Sequence, residues 1–166
     1  MKITLSLLFL VIVTFSCKKA SDNMIIPMDD NKIISQVKQV VDTVFQGCED
    51  VNSTMVLGSC YNSPGFVYVF NGRTLNFQDF SESLTAVFDI LSDQEISRFE
   101  EKYTVLDHST VLYTTNCIFL QHYKDGQTKL IDPAVMMFIF QKINKRWQWI
   151  YGVESYGKNA YSDAAD

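Results

Sequence analysis

From Gln94 to Ser155 apolar and polar residues alternate with a period of two, and a run of that length points to long antiparallel strands with one buried and one wet face. Ser97, Phe99, Glu101, Tyr103 and Val105 alternate with Ile96, Arg98, Glu100, Lys102 and Thr104, which predicts one long strand. Residues 110–124 predict a second, which Asp125-Gly126 turns back into residues 128–142. Asn144-Lys145 turns the chain again into Arg146–Ser155, where Trp147, Trp149, Tyr151 and Val153 share one face. Strands in hairpin succession exclude a doubly wound parallel sheet. Asp132-Pro133 interrupts the third of them and needs a bulge or an edge position, because proline has no N–H to give the ladder.

The preceding stretch has helical period. Ile33, Ile34, Val37, Val40, Val41, Val44 and Phe45 fall on one face of a helix that Gly47 is expected to end. A shorter helix is expected within residues 49–59, and Asn62-Ser63-Pro64-Gly65 breaks the chain after it. Phe66–Phe70 is β-branched and aromatic, and Asn71-Gly72 favours a tight hairpin turn into a returning arm from Arg73 to Phe77. Phe80, Leu84, Val87, Phe88 and Leu91 then mark a third helix, with Asn76 as its cap. Helices segregated from strands give an α+β class of three N-terminal helices and an antiparallel sheet.

At 166 residues with 47% apolar content, the chain suits one globular domain rather than a disordered segment. A net charge of −5 without a basic stretch beyond Lys18-Lys19 excludes a phosphate-tracking surface, so nucleic acid is not an expected partner. Met1-Lys2 precedes the apolar run Ile3–Val13, too short to span a bilayer as a helix, which reads as an export signal. Ser16-Cys17-Lys18-Lys19 follows it and resembles the lipobox of bacterial lipoproteins, in a form similar to those of Bacteroidetes. That resemblance implies cleavage before Cys17, lipid on its sulfur and amino group, and residence in the cell envelope at the outer membrane, in either leaflet. The expected organisation is a signal peptide over residues 1–16, a lipidated tether over 17–31, one domain over 32–156 and a tail over 157–166. Cys48, Cys60 and Cys117 remain; an odd number leaves at least one free thiol, and Cys48 and Cys60, separated by the short helix, are not expected to pair. With no CxxC and only His108 and His122, neither a metal site nor a cofactor is expected.

The element order, with Cys60-Tyr61-Asn62 leading into a hairpin and Arg146–Ser155 as a Trp-bearing last strand, resembles the nuclear transport factor 2-like superfamily, and within it the SnoaL-like domains. The resemblance implies a sheet wrapped into a cone around its helices, a pocket inside, and homodimers formed through the sheet. It also implies a pocket histidine on the last strand, whose place is taken here by Val153, and a carboxylate after the second helix, whose place is taken by Asn62.

Glu101 alternates with Phe99 and Tyr103, so it points into the apolar side of its strand unless it sits beyond the helices' cover or a bulge turns it outward; buried there, a carboxyl would hold its proton more tightly and suit acid–base work. Tyr61, Tyr103, Tyr113 and Tyr151, with Phe99 and Trp149, either line a ligand pocket or fill the core. The leading expectation is a membrane-tethered, non-catalytic module that holds a small apolar ligand in the cone or a protein on the sheet. Two others stand beside it: a structural homodimer with a filled cone, and an isomerase- or cyclase-type enzyme using Glu101 with Tyr61 or Tyr103.

Overall fold

A computed structural model of the chain describes residues 29–157; the expected signal peptide, Cys17, most of the expected tether and the residues from 158 lie outside them. α1 runs Asp30–Glu49 and starts where the Asp29 side chain accepts from the Lys32 N–H at 3.1 Å. Its Val37, Val41, Val44 and Phe45 are buried at helical spacing, as the pattern requires. Gly47 does not end it. This glycine is buried two residues inside the helix, where an added Cβ would stand 3.0 Å from Val56 of the next helix, so its role is close approach.

α2 is short, Ser53–Gly58, and begins at Asn52, whose side chain accepts from the Met55 N–H. β1 (Val67–Phe70) and β2 (Arg73–Leu75) form the expected hairpin around Asn71 and Gly72, both with positive φ. α3 (Phe77–Ile90) is capped by Asn76 through the Asp79 N–H at 3.0 Å. β3 (Leu91–Asp107) follows with no loop, then β4 (Thr110–Tyr123), β5 (Thr128–Ile143) and β6 (Arg146–Tyr156).

The six strands make one curved, unclosed sheet in the order β2-β1-β6-β5-β4-β3. All neighbours are antiparallel except β1 and β6, which run parallel, so the early hairpin is added beside the last strand of the chain. α1 packs on β3 and β6 and α3 on β1, β2 and β3, with α2 between the helices. The α+β class with N-terminal helices on a curved sheet is therefore as expected. Cys48, Cys60 and Cys117 are all free.

Three register shifts decide which side chains enter the cone. In β3 the pairing jumps from Phe99 opposite Asn116 to Lys102 opposite Thr114, so Glu100, at φ +55°, is an extra residue. Ile96 and Arg98 face the helices before the shift, and Glu101, Tyr103 and Val105 after it; Phe99 is turned to the outer face and is 40% exposed. In β5 the Asp132-Pro133 step lies at the shift between Ala134 and Ile131, the bulge its proline demands. In β6, Tyr151 pairs with Ile139 while Trp149 pairs with Phe140, leaving Ile150 extra. Trp147 and Trp149 face inward, then Gly152, Glu154 and Tyr156 do. Tyr151 and Val153 therefore point outward, in register with Val67 and Val69 of β1, against the single face expected for this strand.

Candidate active site

The cone is not filled. Between α3, the end of α1 and the sheet lies a cavity of about 160 Å³, walled by Phe80, Leu84 and Phe88 of α3, Phe119 and Phe138 of the central strands, and Trp149. Ser83 and the partly exposed Val87 mark where it reaches solvent. An apolar cavity of about 150 Å³ holds one benzene ring. The reading of a structural dimer with its cone closed by its own side chains is corrected by this space.

Into this apolar chamber β6 projects one carboxyl, Glu154. The Ile150 bulge puts it on the inner face, and Gly152 makes room beside it: a Cβ there would come within 2.7 Å of the Tyr68 ring and 2.8 Å of Trp149. The hydroxyl of Tyr68 donates to Glu154 Oε2, and that of Tyr156 hydrogen-bonds the same carboxyl. Burial raises the pKa of Glu154 above the usual carboxylate value, more than the two tyrosine hydrogen bonds lower it. Burial, with the adjacent Glu154, also pushes the Tyr68 hydroxyl well up, so it remains a donor. No Lys, Arg or His forms an ion pair with Glu154 among the described residues. At the α1 side of the chamber two buried amides are linked: Gln94 donates to the Cys48 carbonyl at 2.7 Å, and Gln121 donates to Gln94 at 3.3 Å.

A second polar cluster lies inside the cone between α1 and β3. Arg98 donates to Asp42 Oδ1 at 2.8 Å, lies 3.4 Å from Glu101 Oε2, and stacks over the Phe45 ring at 4.6 Å. Glu101 also accepts from Tyr113 at 2.8 Å and Tyr103 at 3.4 Å. For Asp42, burial raises the pKa, but the hydrogen bonds from Arg98 and Lys38 outweigh it and hold the carboxyl below its usual range.

The sequence-predicted site residues thus separate. Of Tyr61, Phe99, Glu101, Tyr103, Tyr113, Trp149 and Tyr151, only Trp149 lines the cavity. Glu101, Tyr103 and Tyr113 do come together, both hydroxyls within 3.4 Å of Glu101 Oε2, but in the arginine-bound cluster. Tyr61 is half-buried, its N–H bonded to the Trp149 carbonyl. Phe99 and Tyr151 face outward for the reasons given above. Glu154 and Tyr68 were missed because strict alternation assigned Glu154 to the outer face; Gly152, a glycine inside a strand, was the available sign of a bulge. Among the described residues no group of His, Cys, Asp and Glu is placed to hold a metal ion.

No protein-family model matches the chain, and no curated protein matches it in sequence. Solved structures do match in fold. A nuclear transport factor 2-like superfamily protein from Salmonella enterica serovar Typhimurium superposes with TM-score 0.69 at 12% identity, over 82% of this chain and 99% of that one. A candidate scytalone dehydratase from Novosphingobium aromaticivorans gives 0.69 at 3% identity, over 77% and 86%. Hexachlorocyclohexane dehydrochlorinase LinA, type 3, from Novosphingobium barchaimii gives 0.65 at 11%, over 78% and 89%. Likenesses at such identities show the fold. The expectation of a non-catalytic module is corrected by the matching structures, which include several named for enzymes.

Proposed function

We propose, with the nuclear transport factor 2-like fold as premise, that this protein is a proton-transfer enzyme of the isomerase or eliminating-lyase type acting on a small, single-ring substrate. The observation that carries the reading is Glu154: a carboxyl with a raised pKa, oriented by two tyrosine hydroxyls and left without a cation, in an apolar cavity of single-ring size. Two of the structural neighbours are named for eliminations, a dehydratase and a dehydrochlorinase.

Desolvation makes the ionised carboxylate a stronger base, so Glu154 is suited to take a proton from a carbon next to an electron-withdrawing group. The electron pair left on that carbon moves toward the withdrawing group or expels a leaving group from the neighbouring carbon. The protonated Glu154 then returns its proton to another carbon, or to the leaving group. Tyr68 fixes the direction of the carboxyl throughout. Incubation of the protein with single-ring ketones in D₂O, read by NMR, should show deuterium entering the α-position. Glu154→Gln should lower that rate by roughly 10²- to 10⁴-fold, the range for a lost general base. No exchange across such a panel with the unaltered protein would overturn the reading.

The proposed setting is a lipid anchor at Cys17 in the cell envelope and a homodimer through the outer sheet face. Phe99, Leu130 and Val135, 40%, 57% and 48% exposed on that face, support the dimer. Cys17→Ala should release the protein from the membrane fraction, and sedimentation should give twice the monomer mass.

A further inference from the structure

We infer that the linked amides of Gln94 and Gln121 are the oxygen-binding end of the cavity, so that the substrate class is a ring compound bearing a carbonyl or similar acceptor oxygen. This rests on the Glu154 reading and specifies the amides that share its cavity. The carbonyl of Cys48 can only accept, so the Gln94 group facing it at 2.7 Å is its NH₂. That leaves the Gln94 oxygen to accept from the Gln121 NH₂ at 3.3 Å, and the Gln121 oxygen to accept from Tyr123 at 3.2 Å. The polarity of the chain is thereby fixed from its anchored end.

Each NH₂ carries two donors, and each has one partner among the described residues. Both residues are buried, 6% and 9% exposed, and both line the cavity. Two spare N–H groups therefore remain beside an otherwise apolar chamber, where a donor without an acceptor is costly. Closing the end of α1 accounts for Gln94, which meets a terminal helix carbonyl, but not for Gln121, whose hydrogen bonds go to Gln94 and Tyr123. The same cavity is lined by Glu154. As Glu154 removes the α-proton, charge collects on the ketone oxygen, and donors already held in place stabilise that charge without rearranging.

Acetophenone and α-methylstyrene test this, since they differ in C=O against C=CH₂ at nearly the same shape. The unaltered protein should bind the ketone about five- to tenfold more tightly, the worth of a neutral hydrogen bond. The bound ¹³C=O stretch should be red-shifted relative to the ketone in hexane. Gln121→Met should abolish both the preference and the red shift while still binding α-methylstyrene, which also shows that the variant is folded. Equal affinities or an unshifted stretch in the unaltered protein would overturn the inference, as would a shift retained in both Gln121→Met and Gln94→Met. Deuterium exchange separates this from the Glu154 reading. A red-shifted ketone that does not exchange leaves the amide assignment standing and removes Glu154 as the base, whereas exchange with no red shift does the reverse.

Discussion

The cone contains two carboxyls held by tyrosines, and their neighbours set them apart. Glu101 accepts from Tyr113 and Tyr103, Glu154 from Tyr68 and Tyr156. Only Glu101 has a guanidinium beside it, Arg98, which is shared with Asp42. A cation in contact ties a carboxylate into the structure; at Glu154, where none pairs with it, burial raises the pKa. The comparison teaches that tyrosine neighbours do not mark a reactive acid. On the proposed reading, the presence or absence of the positive partner does.

The sharpest way to break the comparison is to neutralise each acid in turn. Glu154→Gln should cost roughly 10²- to 10⁴-fold in proton exchange, while Glu101→Gln should change it less than about threefold, since that side chain lies outside the cavity. Similar losses in both would erase the distinction. Next in size, Arg98→Met should destabilise the fold by about 2 to 3 kcal/mol in urea unfolding, less than a fully buried pair because the arginine is 20% exposed. Adding Glu101→Gln to that variant should recover part of the loss.

The two ends should also respond to pH with opposite sign. The folded protein holds the Glu154 proton more tightly than the unfolded chain, whose carboxyl titrates near the ordinary 4.5. Its contribution to stability is therefore full below that value and is lost as pH rises through the raised folded value. Asp42, held low, contributes above its ordinary 3.8 and loses that contribution as pH falls through its folded value. Urea midpoints followed from about pH 4.5 to 8 should decline less steeply in Glu154→Gln than in the unaltered protein. The smallest effect sharpens the geometry: Tyr68→Phe should lower exchange by about tenfold with a stability change near 1 kcal/mol, by removing one hydrogen bond to the base.

The helical half was legible to the level of side chains. Val37, Val41 and Val44 enter the core where their spacing places them, and Asn76 caps α3, because an unbroken helix carries its phase along its whole length. Strand phase is more fragile, since one extra residue exchanges the two faces. Pro133 announced its bulge because proline cannot donate to a ladder. Glu100 gave no such sign, and Ile150 only an indirect one through Gly152. Phe99, Tyr151 and Glu154 were each assigned to the opposite face for that reason. Glu101 keeps company with Tyr103 but not with Phe99, and the arginine that meets it comes from the other side of the bulge.

The parallel seam between β1 and β6 ties the order of events in the chain's life to its chemistry. Tyr68 and Glu154 meet across 86 positions of sequence, and β1 has no neighbour on its inner side until Arg146–Tyr156 has been made. Contacts so distant form late and slowly, after the loop between them has been closed. A nascent chain lacking its last strand therefore carries the tyrosine without the acid. The proposed base and the tyrosine that orients it therefore meet only once β6 has docked beside β1, and any partly folded form without that seam lacks the pair.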